Sequence, residues 1–476
     1  MKLSIVYFND VHGYLQEHPE IFFQGPAEVI KTAGGYSRIL SFIKSIRNEN
    51  PNTLVFDGGD TFHGTYPVVQ TKGEIIVPIL NEIGIAAMVG HWDFAYGSEQ
   101  LEHLAAGLNY PVLGINVYKK DGQLLLPPFL MKQAGGVTIG VIGICSNIIN
   151  NTIPSRFSEE LIITDGKEEL PQYIKEVREK GADIVMLLSH NGFPQDCALI
   201  SKIEGIDVCL SAHTHNRLHQ PAVINNTPII QCGCHGSFVG HLELNIAGKK
   251  VLEYSYRLVP MDETVEKDEA LDKQIAKAIE AFNHLKDEDL GVTSQNLHRY
   301  NTLNGKMDNL LLASIAHAAD TKIAFSNGWR YGSPVPAGTI TLNDLYNIIP
   351  INPPVSTTEL SGKEIKGMLE ENIERTFACD AFHQMGGYLK RCFGVTAYIK
   401  LENPKGQRIQ QLFIDKQPVD KERSYTVAFV TKQGVPENVG TNRKDLDIKA
   451  VDAMQRFLVE NLLTDEIINT TAFVTV

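Results

Sequence analysis

Aspartate and histidine recur at one kind of place in this chain, just past a run of apolar residues. "IVYFNDVHG" carries Asp10 and His12, "LVFDGGD" carries Asp57 and Asp60, and "AAMVGHWD" carries His91 and Asp93. "IVMLLSHNG" follows with His190, and "VCLSAHTHN" with His213 and His215. Asp-x-His and His-x-His spacings put both side chains on one side of an extended segment. One such pair is weak evidence, because most histidines serve packing. Five segments in series, each closing an apolar run, are hard to produce by accident. Asp10, His12, Asp60, His91, His190, His213 and His215 offer nitrogen and oxygen donors enough for two metal ions, and a carboxylate such as Asp60 can bridge a pair. Imidazole mixed with carboxylate suits Mn²⁺, Zn²⁺ or Fe²⁺ better than Ca²⁺ or Mg²⁺. Two such ions about 3.5–4 Å apart can activate water and clamp the oxygens of an in-line displacement.

The elements that must position these residues are legible too. The apolar runs read as buried strands, and between them lie helical patterns such as "SRILSFIKSIRNE" and "LPQYIKEVREKG". Alternation of this kind predicts an α/β domain, whose strand ends line one edge where sites form. From Asp262 to Asp289 the chain is charged, lacks glycine and proline, and has helical spacing. The reading is a first domain over 1–260, a linker helix over 261–290 and a second α/β domain over 291–476. A chain of 476 residues exceeds one ordinary core. Its net charge of -13 argues against nucleic acid as a general partner. No stretch is long and apolar enough to span a bilayer. Asn9 and Asp10 interrupt the opening apolar run early, so no signal peptide is expected and a cytoplasmic address is. The seven cysteines are odd in number and spread through a long chain, which predicts free thiols.

"NDVHG", "DGGD", "GHWDFAYG", "SHNG" and "AHTH", in that order, resemble the calcineurin-like metallophosphoesterases. More closely they resemble the 5′-nucleotidase branch with its own C-terminal domain. "SNGWRYGSPVPAGTITLNDLYNIIP" is similar to that branch's Asn-x-Gly-x-Arg segment, so the likeness spans nearly the whole chain. It implies a four-layer metallophosphoesterase β-sandwich flanked by helices, then a second α/β C-terminal substrate domain. It implies two divalent ions, with Asp10, His12 and His215 on the first, Asp60 bridging, and His190 and His213 on the second. Asp57 would support a ligand from behind or orient backbone, and hold no ion. The implied substrate is a small-molecule oxyanion, a phosphoester and in family terms a nucleotide.

One segment departs from the family. Its usual text is Gly-Asn-His-Glu-Phe-Asp, and here it is Gly90-His91-Trp92-Asp93-Phe94-Ala95. His91 replaces a ligating Asn, which imidazole does well. Trp92 replaces the catalytic His, and Ala95 the Asp that orients it. An indole has one N–H and cannot act as a general acid. Lost acid–base help is worth about 10²–10⁴-fold, so turnover is expected only for good leaving groups. The Gly-His-Trp-acid-Phe-x-Tyr-Gly wording also resembles the thiosulfohydrolases of sulfur oxidation, which keeps a sulfur-linked substrate open. A metal-retaining, non-catalytic binding protein is the third reading. Trp92 fits packing over the metals or substrate contact, and Asp93 is expected to support the His91 imidazole.

In the second half, Arg330, Asn327 and Gly328 match the family's substrate segment, and Arg299 in "NLHRYN" matches a second arginine. Arg391 is a further candidate. A guanidinium fork suits phosphate or sulfate. The family's two stacking aromatics are missing, since the chain has Pro350-Ile351-Asn352 and "AFVTKQGVPENVG" at those places. Trp329, Tyr331 and Tyr388 are the candidates for a substitute platform.

Overall fold

The computed structural model describes residues 1–152 and 159–476. The chain forms two compact units, Met1–Glu280 and Ala281–Val476.

The first unit contains β1 (Lys2–Phe8), a hairpin of β2 (His18–Gln24) and β3 (Ala27–Ala33), α1 (Tyr36–Glu49), β4 (Thr53–Asp57), α2 (Val77–Ile83) and β5 (Ala87–Met88). It continues with β6 (Phe129–Ala134), β7 (Val137–Ile144), α3 (Glu169–Glu179), β8 (Ile184–Ser189), α4 (Phe193–Ile200) and β9 (Val208–Ser211). Then come β10 (Ala222–Ile224), β11 (Thr227–Ile230), β12 (Phe238–Ala247), β13 (Lys250–Pro260) and α5 (Glu269–Ala278). One sheet runs β13-β12-β1-β4-β5 and the other β10-β11-β9-β8-β7-β6. The central strands β1, β4 and β5, and β7, β8, β9 and β11, pair in parallel. Parallel strands buried on both faces need continuous apolar text, which is why "IVMLLS" of β8 is wholly buried. Ile5, Tyr7 and Phe56 of one sheet share a core with Ile139, Met186 and Leu210 of the other. Helix α1 packs outside the first sheet, on β4, and α3 outside the second, on β7 and β8. The layers are helix, sheet, sheet, helix.

The single linker helix expected over 261–290 is not there. Asp268 caps α5 by accepting the Leu271 N–H at 3.1 Å. A 3-10 turn (Glu280–Phe282) and a short helix (His284–Asp287) follow separately. Charges of this stretch find partners within the first unit. Asp272 accepts from Ser37 at 3.0 Å, and Lys267 joins Arg38 on the Glu17 carboxylate at 2.6 and 2.7 Å.

The second unit holds a five-stranded sheet in the order Tyr388–Phe393, Ala324–Gly328, Ser424–Phe429, Pro354–Ser361, Thr441–Lys449. The helix Gly362–Phe377 opens with a capping box of Ser361 and Glu364, and Leu342–Ile348 with one of Thr341 and Asp344. Phe325, Leu369 and Val427 belong to its core. All seven cysteines are free. No helix among the described residues is long and apolar enough to cross a membrane.

Candidate metal centre

Each of the five strands delivers its residues where the sequence places them. β1 ends two residues before Asp10, β4 three before Asp60, β5 three before His91, β8 one before His190 and β9 two before His213. The backbone at these exits is unusual. Asp10, His12, Asp60, His213 and His215 are left-handed, with φ of 52°, 52°, 56°, 71° and 55°. A side chain there costs about 1–2 kcal/mol, and such outliers cluster where a site demands them.

Two groups of donors form and share one member. Asp10, His12, Asp60 and His215 converge, as do Asp60, His91, His190 and His213. His12 Nε2 lies 3.2 Å from His215 Nε2 and 3.7 Å from Asp60 Oδ2. His215 Nε2 lies 3.3 Å from Asp10 Oδ1. On the other side Asp60 Oδ2 lies 3.4 Å from His91 Nδ1 and 3.3 Å from His190 Nε2. Ligands about 2.1 Å from one ion stand about 3.0–3.5 Å apart, so this spacing fits a coordination shell.

The carboxylates are divided between two tasks. Asp60 Oδ1 accepts the Trp92 N–H at 2.6 Å, and Oδ2 faces the histidines. Asp10 Oδ2 accepts from Asn9 Nδ2 at 2.6 Å and His213 N at 3.0 Å, while its buried Oδ1 has no hydrogen bond. The other nitrogens of two imidazoles are tied to backbone: His12 Nδ1 donates to the His63 carbonyl at 3.2 Å, and His190 Nδ1 to that of Gly58. Each such bond turns Nε2 inward as a lone pair. Buried Asp10 Oδ1 and His190 Nε2 without hydrogen bonds, in a donor set of imidazole and carboxylate, fit divalent ions. The field agrees. Burial pushes His190 down, but the carboxylates of Asp60 and Asp10 outweigh it and raise the imidazole to about 10, so the pocket favours positive charge, which an ion would supply in place of the Nε2 proton. Burial pushes Asp60 up, but His91, His190 and His12 hold it well below the carboxylate range.

Asp93 corrects an expectation. It supports main chain and not the imidazole of His91. Its two oxygens accept the N–H groups of Asp60, Thr61 and Phe62 at 2.9 Å each and of His91 at 3.1 Å. Asp57 accepts from Gly59 N at 2.9 Å and Thr61 Oγ1 at 2.8 Å, so it orients backbone. Behind the second donor group, Asp196 receives Ser189 Oγ and Ser211 Oγ at 2.6 Å each, tying β8 to β9. A third cluster, Glu20, Cys234 and His235, lies near His215. Arg217 already neutralises Glu20 at 2.8 Å, and Ser237 donates to it at 2.7 Å, so a cation there would face a guanidinium.

Trp92 is half-buried and stacks on His63, centroids 5.0 Å apart and planes at 25°. Burial and His12 lower His63 to about 3.

In the second unit, Asn327 and Gly328 end a strand beside Tyr388. A Cβ on Gly328 would lie 2.3 Å from the Tyr388 carbonyl oxygen, so only glycine fits. The Arg330 guanidinium sits 5.2 Å over the Tyr388 ring, and Arg391 is equally close. Arg299, expected at the substrate, is wholly buried. It donates to the carbonyls of Tyr331 and Ile348 and pairs with Asp308 at 3.0 Å. Arg391 is buried as well, 3.0 Å from Asp308. These two hold the unit together from inside. Trp329 and Tyr331 stack on each other, 5% and 3% exposed, and Trp329 Nε1 donates to Gln433. They are core, which removes them as a platform and leaves Tyr388.

The calcineurin-like phosphoesterase family matches residues 3–217, and the 5′-nucleotidase C-terminal domain matches 283–431. The chain belongs to the calcineurin-like phosphoesterases that carry a 5′-nucleotidase C-terminal domain. It is a metal-dependent hydrolase of ester bonds. A snake venom 5′-nucleotidase of Naja atra is 23% identical, over 90% of this chain and 88% of its own length. The 5′-nucleotidase of Rattus norvegicus is 24% identical, over 81% and 74%. Among solved structures, a sulfate thiohydrolase, SoxB, of Thermus thermophilus shares the fold with a TM-score of 0.89. It is 23% identical, with 100% of this chain and 95% of that one covered. A 5′-nucleotidase precursor, also of Thermus thermophilus, gives 0.87 at 20% identity, covering 100% and 99%.

Within this phosphoesterase site, several supports escape sequence reading. His63, three residues past Asp60 in "GDTFHG", could have been flagged by its closeness. Asn9 could have been flagged by its place beside Asp10. Asp196 and the Glu20–Arg217 pair carry no motif signal, since the partners of Asp196 lie 7 and 15 residues away on two different strands and Glu20 and Arg217 lie 197 apart.

Proposed function

We propose that the chain hydrolyses small phosphoesters with good leaving groups, using two divalent ions at the shared Asp60 site. One observation carries the reading: two donor groups share Asp60, and Trp92, which stands where the resemblance puts the catalytic His, donates its main-chain N–H to Asp60 Oδ1 beside them. Asp10, His12, Asp60 and His215 hold one ion, and Asp60, His91, His190 and His213 the other. Bound there, the pair of ions supplies Lewis-acid activation of water and of the ester. The chain's own residues do the rest. Asp93 and Asp57 fix the Asp60 loop, Arg330 takes an oxyanion of the substrate, and Trp92 gives its neighbourhood an apolar wall. The Trp92 indole offers no acid to the leaving group, so alkoxide release is slow and phenolate-type release is fast.

Phosphate release tests this with Mn²⁺-loaded protein on an aryl phosphate, cyclic nucleotides and nucleoside monophosphates, with Asp60→Asn as control. Cleavage of the aryl ester, weak cleavage of monophosphates and a dead Asp60→Asn support the reading. No phosphate release from protein carrying two ions overturns it. A sulfur-linked oxyanion is the second reading, favoured by Trp92 between Gly90-His91 and Asp93-Phe94. Sulfate release from a thiosulfonated thiol distinguishes it.

A further inference from the structure

Strand β13 is the outermost strand of its sheet. It pairs with β12 on one side, and no strand among the described residues pairs with the other. The Met261 N–H donates to the Ser237 carbonyl at 2.9 Å, beside the Phe238–Pro260 end of that pairing. Antiparallel bonding alternates. Glu253, Ser255 and Arg257 therefore turn their N–H and C=O groups towards β12. Tyr254, Tyr256 and Leu258 turn theirs outward. The only irregularity is a bulge near Leu252.

The sequence of this edge is nearly the same in both directions: Val251-Leu252-Glu253-Tyr254-Ser255-Tyr256-Arg257-Leu258-Val259. The one mismatched pair, Glu253 and Arg257, is opposite in charge. Leu252 is 65% and Tyr254 38% exposed, much apolar surface for a strand edge. Exposed edges are ordinarily blunted by charge or bulges that repel a partner strand. Here the charges attract when the partner is another β13.

We propose that a second copy of this chain docks on β13, antiparallel, with the twofold axis at Ser255. The register is then Ser255 opposite Ser255, Tyr254 opposite Tyr256, Glu253 opposite Arg257 and Leu252 opposite Leu258. The outward groups of Tyr254 and Tyr256 exchange hydrogen bonds, and Ser255 forms the non-hydrogen-bonded central pair. Two Glu253–Arg257 pairs form, one on each side of the axis. Arg257 is already oriented, with Nε donating to His241 at 3.1 Å. The two five-stranded sheets become one of ten.

The test measures the mass of the full chain by light scattering across the micromolar range. A dimer is expected. Glu253→Arg and Arg257→Glu should each raise its dissociation constant by about tenfold or more, and the double swap should restore it. Ser255→Cys adds an independent arm. Its Cα lies about 4.5 Å from its mate across the axis, within disulfide reach, so oxidation should link two chains. Glu253→Cys, with mates roughly 13 Å apart, should not link and controls for the native thiols. A monomer at all concentrations overturns the proposal. So does a dimer indifferent to the charge swaps whose Ser255→Cys form stays unlinked.

Discussion

Asp93 holds Asp60 from behind: its Oδ2 accepts the Asp60 main-chain N–H at 2.9 Å and the N–H of His91 at 3.1 Å. One buried carboxylate thus fixes Asp60, the member shared by both donor groups, and His91 of one group together. In Asp93→Asn an NH₂ group must face N–H donors. Bonds to a charged acceptor are worth about 1.5–3 kcal/mol each. We expect a loss of about 3 kcal/mol in denaturant unfolding and a fall in bound metal at both sites, read by elemental analysis. Two ions retained at full occupancy would contradict this role.

Restoring the missing acid should change which esters react. Trp92→His with Ala95→Asp recreates the imidazole–carboxylate arrangement of the family. The expected gain is about 10²-fold or more for alkyl phosphates and little for aryl phosphates. The ratio of kcat/KM for the two ester types reads it. An equal gain on both would show that the indole, and not the acid, limits turnover.

Asp196 gives a pH signature. Burial raises its carboxyl to about 7, against the two serine hydroxyls that lower it. Between about pH 4 and 7 the unfolded chain has lost this proton and the folded chain keeps it. Stability therefore falls as pH rises through that window, by roughly 1.4 kcal/mol per unit at most. Asn mimics the neutral acid, so Asp196→Asn should flatten this slope in unfolding measured from about pH 4 to 8. An unchanged slope would assign it to other groups.

Arg330 and Arg299 should separate cleanly. Arg330→Ala is expected to lower kcat/KM by roughly tenfold or more with the melting temperature unchanged. Asp308→Ala strands the buried Arg299 and Arg391 and should cost about 3–5 kcal/mol in stability. Equal destabilisation by both substitutions would make Arg330 structural too.

How far the sequence could be read depended on the distance between cause and effect. The seven candidate ligands follow strand ends, where apolar text stops and a loop starts, so residue type and position appear together. Arg299 shows the opposite case. "NLHRYN" has nothing to say that Asp308 and two carbonyls bury that guanidinium. Trp329 likewise reads as a free aromatic until Tyr331 and Gln433 are seen against it. Over 261–290 the helical spacing holds as one helix only from Glu269 to Ala278, and the charges Lys267 and Asp272 find partners far off in sequence, at Glu17 and Ser37 of the first unit.

The left-handed backbone at Asp10, His12, Asp60, His213 and His215 limits which mutations the site can accumulate. A replacement there must tolerate positive φ as well as offer a donor. Asn, Asp, His and Gly meet the first demand at least cost, and the β-branched residues fail it. Drift at these five positions is confined to a short alphabet. His91, with φ of -147°, is not among them, and it is the candidate ligand that stands where the family resemblance calls for Asn.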